Sequence, residues 1–262
     1  MSKICFAILV HNNKKSLKDM IDNIRRFCPH SSIVLYNGGD DPKLCRGLGV
    51  PVCPTSKKLV YPTSISTYML EVMDWLVDTD YKFDYLINLD SDCLFARKGF
   101  ESFVKKEMKK CDYMGVRVRP PTDDWLPYRN FKKEWAIWKP VFKKKENLLC
   151  CFNVGQIYRR RLVEKIVRVS KSLRVRDKLL RTRSNGIVEI LYVSLARKLG
   201  ARIKRYPSSV DGSIRYRPHF TAGEVKRTLR QKPRHSLFHP IYRDIGNDAR
   251  VAIRNRANRQ GK

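Results

Sequence analysis

The strongest limit on what this chain can fold into is Ile4–Val10, seven apolar residues in a row, followed at once by a stretch of different period. A strand that is apolar at every position must be covered on both faces, the usual condition inside a parallel sheet. Residues 14–28 then place Leu17, Met20, Ile21, Ile24 and Phe27 at three-and-four spacing, the mark of a helix with one apolar stripe. Residues 32–36 form a second short strand, closed by the turn-rich Asn37-Gly-Gly-Asp-Asp-Pro42. A weaker strand is expected at 50–53, a helix at 64–77 and another buried strand at 85–89. This β-α-β-β-α-β order predicts an α/β fold: a mixed, mostly parallel sheet flanked by helices, with right-handed crossovers.

Farther along, 99–110 has a helical pattern and 113–118 a strand pattern. Residues 119–149 are rich in Pro, Trp and Lys with weak periodicity, so an irregular lobe over a site is expected there. Residues 151–158 should be a strand, 161–181 a basic helix and 187–199 a helix stopped by Gly200, with a last strand at 201–206. From Asp248 the chain is polar and basic, which predicts a fraying tail.

Lys and Arg number 55 against 25 Asp and Glu, a net charge of +30. Such an excess attracts polyanions without choosing between nucleic acid, anionic lipid and a phosphate-rich substrate. Its densest part, residues 159–183, holds eight Arg and three Lys. The eight cysteines include no CxxC pair, and several sit in apolar runs, so free thiols in a reducing compartment are expected. Adjacent Cys150 and Cys151 lack the spaced second pair of a structural zinc site. The first apolar run is far shorter than the roughly 20 residues of a bilayer span. It also has no small-residue cleavage site. The expectation is a soluble cytoplasmic protein, with peripheral contact on the inner face of an anionic membrane.

Chemistry concentrates at Asp90-Ser91-Asp92, an acidic DxD triplet directly after the buried strand Tyr85-Leu-Ile-Asn-Leu89. Ligands of open α/β sheets bind at the carboxyl ends of strands. Alternate residues of an extended segment face one way, so the two carboxylates can converge on one hard cation, Mg²⁺ or Mn²⁺, shared with substrate phosphates. A second triplet, Asp78-Thr79-Asp80, closes a helix and is followed by polar residues, which marks a solvated helix end.

The strand and triplet, following about 85 residues of βα units, resemble the nucleotide-binding half of GT-A glycosyltransferases. So do Phe6-Ala-Ile-Leu-Val-His-Asn-Asn13, with its first strand and nucleotide-contacting loop, and Phe152-Asn-Val-Gly-Gln-Ile-Tyr158. The segment from Glu189 through Leu199-Gly200 to Ile203 is similar to the family's acidic helix, turn and strand. The resemblance spans residues 3–242, with only the triplet and the Glu189 segment moderately specific.

It implies a GT-A-like (Rossmann-like) domain over 1–245, with a nucleotide-binding half at 1–118, an acceptor half at 119–245 and a basic tail at 246–262. Sugar would pass from a nucleotide diphosphate, UDP in the first instance, to a glycan hydroxyl. Asp92 would hold the metal, Asp90 metal or ribose, and Ser91 the nucleotide. Glu189 would be the general base. His239 in Leu237-Phe-His-Pro240 is the expected late metal ligand, ahead of His219 and His235. Asp40 and Asp41 would face the nucleotide, and His11 and Asn12 the base or ribose. Each has a plainer role open to it: turn chemistry for the aspartates, a helix-start acid for Glu189, a structural histidine for His239. Trp125, Trp135 and Trp138 could stack on sugar or fill a core.

Two other readings fit parts of the chain. A haloacid-dehalogenase-like phosphatase also sets DxD after a strand, and Asp123-Asp124 could serve as its second acidic pair. Leu94, however, stands where that family has a small or hydroxyl residue, and three strands precede the triplet. A nucleic-acid binder would explain the charge, but no helix-turn-helix, zinc module or RNP-type motif accompanies it.

Overall fold

The computed structural model describes residues 3–61, 64–231 and 237–259. In chain order the elements are β1 (Ile4–Val10), α1 (Lys14–Phe27), β2 (Ser32–Asn37), α2 (Tyr68–Asp78), β3 (Tyr85–Asp90), β4 (Leu94–Phe95), α3 (Phe100–Glu107) and β5 (Tyr113–Arg119). There follow α4 (Leu126–Lys133), α5 (Trp135–Phe142), β6 (Cys150–Arg159), α6 (Arg160–Ser172), α7 (Val175–Arg181), α8 (Val188–Lys198), β7 (Ile203–Arg205), α9 (Ser208–Asp211), α10 (Ala222–Gln231), β8 (Leu237–Phe238) and α11 (Asp248–Arg259).

Six strands form one mixed sheet in the order β2-β1-β3-β6-β5-β7. β1 runs parallel to β2 and β3, and β7 parallel to β5, while β6 is antiparallel to both its neighbours. The continuous apolar run of β1 has the expected cause. Phe6 and Ile8 face a core shared with α1 and α3, and Cys5, Ala7 and Leu9 face a second core shared with α2 and α8. Helix α1 starts where Asn13 Oδ1 accepts from the Ser16 amide at 3.0 Å, and it ends with Arg25 and Arg26 in its last turn.

Register brings the carboxyl ends of the first three strands level. Val10 pairs with Asn37, and Leu9 with Asp90. His11, Gly38 and the acidic triplet therefore emerge side by side at one edge of the sheet. A separate two-stranded ribbon pairs Leu94 with Phe238 and Phe95 with Leu237, bringing residues 237–243 back to the triplet.

Several expectations change. Residues 50–53 contribute only an isolated bridge between Val52 and Leu35, because neighbouring turns leave no length for a ladder. The stretch 119–149 is no irregular lobe: it contains α4 and α5, and Phe131, Trp138, Val141 and Phe142 are buried in the second core. Residues 161–181 are two helices, α6 and α7, separated at Arg174, whose φ of 50° is left-handed. All eight cysteines are free and buried. No described helix is long and apolar enough to cross a membrane.

Residues 248–259 are helical rather than frayed, since Ala249 and Ile253 join the first core. Arg250 goes with them. Its side chain is fully buried, pairs with Asp19 at 2.7 Å and donates to the backbone carbonyls of Ser16 and Tyr242. Removing one partner of a buried pair is costly, and Asp19 would keep only the more exposed Arg254, 3.2 Å away. Arg250→Met is therefore expected to cost about 3 kcal/mol, to be measured as a lower urea midpoint at unchanged slope.

Candidate functional site

Asp90 is the last residue of β3, and the Cys93 amide donates to its carbonyl at 3.0 Å, turning the chain directly into β4. That tight turn keeps both triplet carboxylates on the sheet edge. The ribbon then fixes the third group. The Ile241 amide donates to the Asp92 carbonyl at 2.8 Å and the His239 amide to the Ser213 carbonyl at 3.0 Å. His239 Nε2 consequently lies 3.2 Å from Asp92 Oδ1 and 3.9 Å from Asp90 Oδ2. On the other side of the ring, Nδ1 is 2.9 Å from the Arg215 carbonyl oxygen, which can only accept. Nδ1–H therefore donates there, and Nε2 is the ring atom turned toward the carboxylates.

Burial makes the cluster electrostatically tense. Asp92 and His239 are each only 5% exposed. Desolvation, and then the charge of Asp92, raise the pKa of Asp90. For Asp92 desolvation is opposed by His239 and Arg243, and the outcome is a carboxyl held below its usual range. Two neighbouring acids are thus driven apart, one ready to ionise and one reluctant. Cys93 Sγ also lies within 4.8 Å of ligand atoms of Asp92 and His239. Burial pushes its thiol well above the ordinary range, so it sits there neutral.

Glu189 reaches the same place from α8. The Asn153 amide donates to Glu189 Oε1 at 3.3 Å. Asn153 is itself tied to β3, its carbonyl accepting from Asn88 Nδ2 at 2.6 Å. Asn88 is two residues before Asp90 and on the same side of the strand. Desolvation, with a further push from Asp90, outweighs the Asn153 hydrogen bond and raises Glu189 to a pKa of about 7.

His11 stands on the opposite flank, where burial lowers its pKa against the pull of Asp90. Its backbone closes on Gly39, where a Cβ would lie 2.1 Å from the His11 carbonyl oxygen, so only glycine fits. Beyond it opens a groove of ≈ 420 Å³ lined by Asn37, Asp40, Arg46, Ser56 and Lys57 among others. Asp40 lines this groove, mostly exposed and paired with Lys58. Asp41 instead accepts from the Lys43 amide at 2.7 Å, which is turn chemistry. Asn12 is exposed beside His11. Ser91 is buried and accepts from Arg243 Nε at 3.0 Å.

The structure thus gathers Asp90, Ser91, Asp92, His239, Glu189 and His11, with Asp40 one groove away. His219 lies at the margin of this cluster, near enough to feel the charges of Asp92, Arg243 and His239; its ring is stacked on Tyr242 with centroids 3.6 Å apart and lies within 2.8 Å of Arg217. His235 lies outside the described residues. Trp138 is core, its ring stacked on Phe131, while Trp125 and Trp135 are half-buried against the same cluster. Asp78 and Asp80 are a paired, solvated helix end, bound to Lys171 and to Lys82 and Arg160.

Sequence reasoning missed Arg243, whose Nη2 lies 3.1 Å from Asp92 Oδ2. It also missed the bridging pair Asn88 and Asn153. A signal for Asn88 was present: a lone amide inside an apolar strand is an exception that demands a partner.

No family model matches the chain, and no curated protein sequence does. Among solved structures it is similar to an active-site mutant of LgtC, at 12% identity and a TM-score of 0.49, over 98% of this chain and 95% of that one. It is also similar to the galactosyltransferase LgtC in complex with donor and acceptor sugar analogues, at 10% identity and a TM-score of 0.48, with the same coverage.

Proposed function

We propose that the protein is a metal-dependent glycosyltransferase of GT-A type, moving sugar from a nucleotide diphosphate, UDP in the first instance, to a hydroxyl of a glycan. The observation that carries this reading is the convergence of Asp90, Asp92 and His239. Asp90 Oδ1 and Asp92 Oδ1 are buried and find no hydrogen-bond partner among the described residues. A buried carboxylate oxygen without a donor is costly. The His239 Nε2 turned toward them would, once free of its proton, complete an oxygen-and-nitrogen set suited to Mn²⁺ or Mg²⁺. Such an ion would be held by Asp92 and His239, with Asp90 beside them, and would offset charge on a departing diphosphate.

The chain's own groups do the rest. Glu189, with its raised pKa, is matched to accept a proton from an attacking hydroxyl near neutral pH. Arg243, now paired with Asp92, supplies a second positive charge for the diphosphate. The groove past His11, with Asn37, Asp40 and Ser56 on its walls, offers hydrogen-bonding groups for ribose and base. The phosphatase alternative loses support. Asp123 is paired with Lys132, and neither it nor Asp124 is among the main influences on Asp90 or Asp92.

The test is hydrolysis and transfer of UDP-sugars with Mn²⁺, with Mg²⁺ and with chelator, alongside p-nitrophenyl phosphate. Turnover of a nucleotide sugar that vanishes with chelator is expected. Metal-independent turnover, or cleavage of the phosphomonoester, would sink the proposal. In parallel, His239→Gln should weaken Mn²⁺ binding by about tenfold or more, read by electron paramagnetic resonance without any substrate.

A further inference from the structure

A second site lies away from the carboxylates, between α10 and α11. Val225, Leu229 and Ile253 form the apolar floor of a groove of ≈ 510 Å³, and Lys226, Arg230 and Arg256 also line it. These three cations have no carboxylate partner among the described residues. Arg250 and Arg254 of the same helix, by contrast, are both taken up by Asp19. Glu224, the acid of α10, is held by Arg215 at 2.9 Å. Arg256 Nε is buried without a hydrogen-bond partner. Arg97, which follows β4, sits close enough that burial and then the Arg256 charge lower its pKa. Like charges gathered over an apolar trough leave a deficit of negative charge beside a surface that water solvates poorly.

We infer that this groove seats one acyl chain of an anionic phospholipid at a bilayer surface, with the lipid phosphate held by Arg230 and Arg256. Nucleic acid would satisfy the cations but offers no hydrocarbon for Val225, Leu229 and Ile253. A neutral lipid would fill the trough and leave the cations as they are. An anionic amphiphile satisfies both halves, combining apolar burial with attraction to an acidic surface. The inference is independent of the reaction proposed for the carboxylate site.

The experiment is co-sedimentation of the full chain with vesicles of equal parts phosphatidylglycerol and phosphatidylcholine, against phosphatidylcholine alone. Binding to the first and not the second is expected. Arg230→Glu with Arg256→Glu should weaken it by about 25-fold or more, roughly fivefold for each cation lost. Lys165→Glu with Arg168→Glu, exposed on α6, changes net charge equally and should have a much smaller effect. Ala252→Trp, which fills the groove at unchanged charge, should also reduce binding. Thermal melts will identify any variant that has lost its fold. Failure of the native chain to bind, equal losses from the α6 pair, or undiminished binding by folded Ala252→Trp would each overturn the inference. So would a soluble acidic peptide binding in place of the vesicles.

Discussion

Asp92→Asn is expected to lower turnover by about 10³-fold while leaving the protein folded. The substitution keeps the side chain's shape and removes the one charge that the site holds firmly ionised. Asp92 is the acid in contact with both His239 and Arg243. On the proposed reaction, an amide there would forfeit several kcal/mol of attraction to a cation, and the loss would fall on the transition state as charge leaves with the diphosphate. Stability should change much less. The lost pair with Arg243 is partly compensated because Asp90 no longer faces a second negative charge. The measurements are steady-state kinetics, Mn²⁺ affinity and a thermal melt on the same preparation. A fully active Asp92→Asn protein would remove the chemical basis of the proposal.

Glu189→Gln is expected to reduce kcat by about 10² to 10⁴-fold, the usual range for loss of a general base. On the proposed reaction, the native protein should also lose activity as pH falls through about 7, where Glu189 takes up a proton. The glutamine variant should lack that acidic limb. Stability moves the other way. Glu189 has a folded pKa of about 7, above its ordinary 4.5. Its preference for the proton therefore favours the folded state fully below pH 4.5, and that advantage is lost as pH rises to about 7. Above pH 7 the half-buried carboxylate is a liability of up to about 3 kcal/mol. The glutamine variant should accordingly melt higher than native protein at pH 8 and close to it at pH 4. A role confined to starting α8 would leave kcat intact and give no such crossing of kinetic loss with alkaline stabilisation.

What could be read from the chain alone follows from where local pattern and tertiary packing agree. Ile4–Val10, the stripe of α1 and the strand before the triplet were legible because a residue buried on either face leaves a strict apolar signature. Helices α4 and α5 were not. Pro127 at the start of one and Pro140 inside the other, amid Lys and Trp, blur a period that only burial of Phe131 and Trp138 reveals. The two-residue strands β4 and β8 have no local signal, since their pairing is imposed by the chain around them. Arg243 was invisible for a different reason: among 55 basic residues nothing distinguishes the one beside Asp92. Glu189 was visible as a charge at the head of a helix, but its burial and altered acidity come from β3 and β6.

The β4–β8 ribbon makes the carboxylate centre depend on a contact between distant parts of the chain. Strand and triplet are finished by residue 92, yet the imidazole that faces them is separated by well over a hundred residues and arrives only when Leu237 and Phe238 dock on Phe95 and Leu94. Whatever loosens that ribbon would move the imidazole away from both aspartates while leaving β3 itself intact.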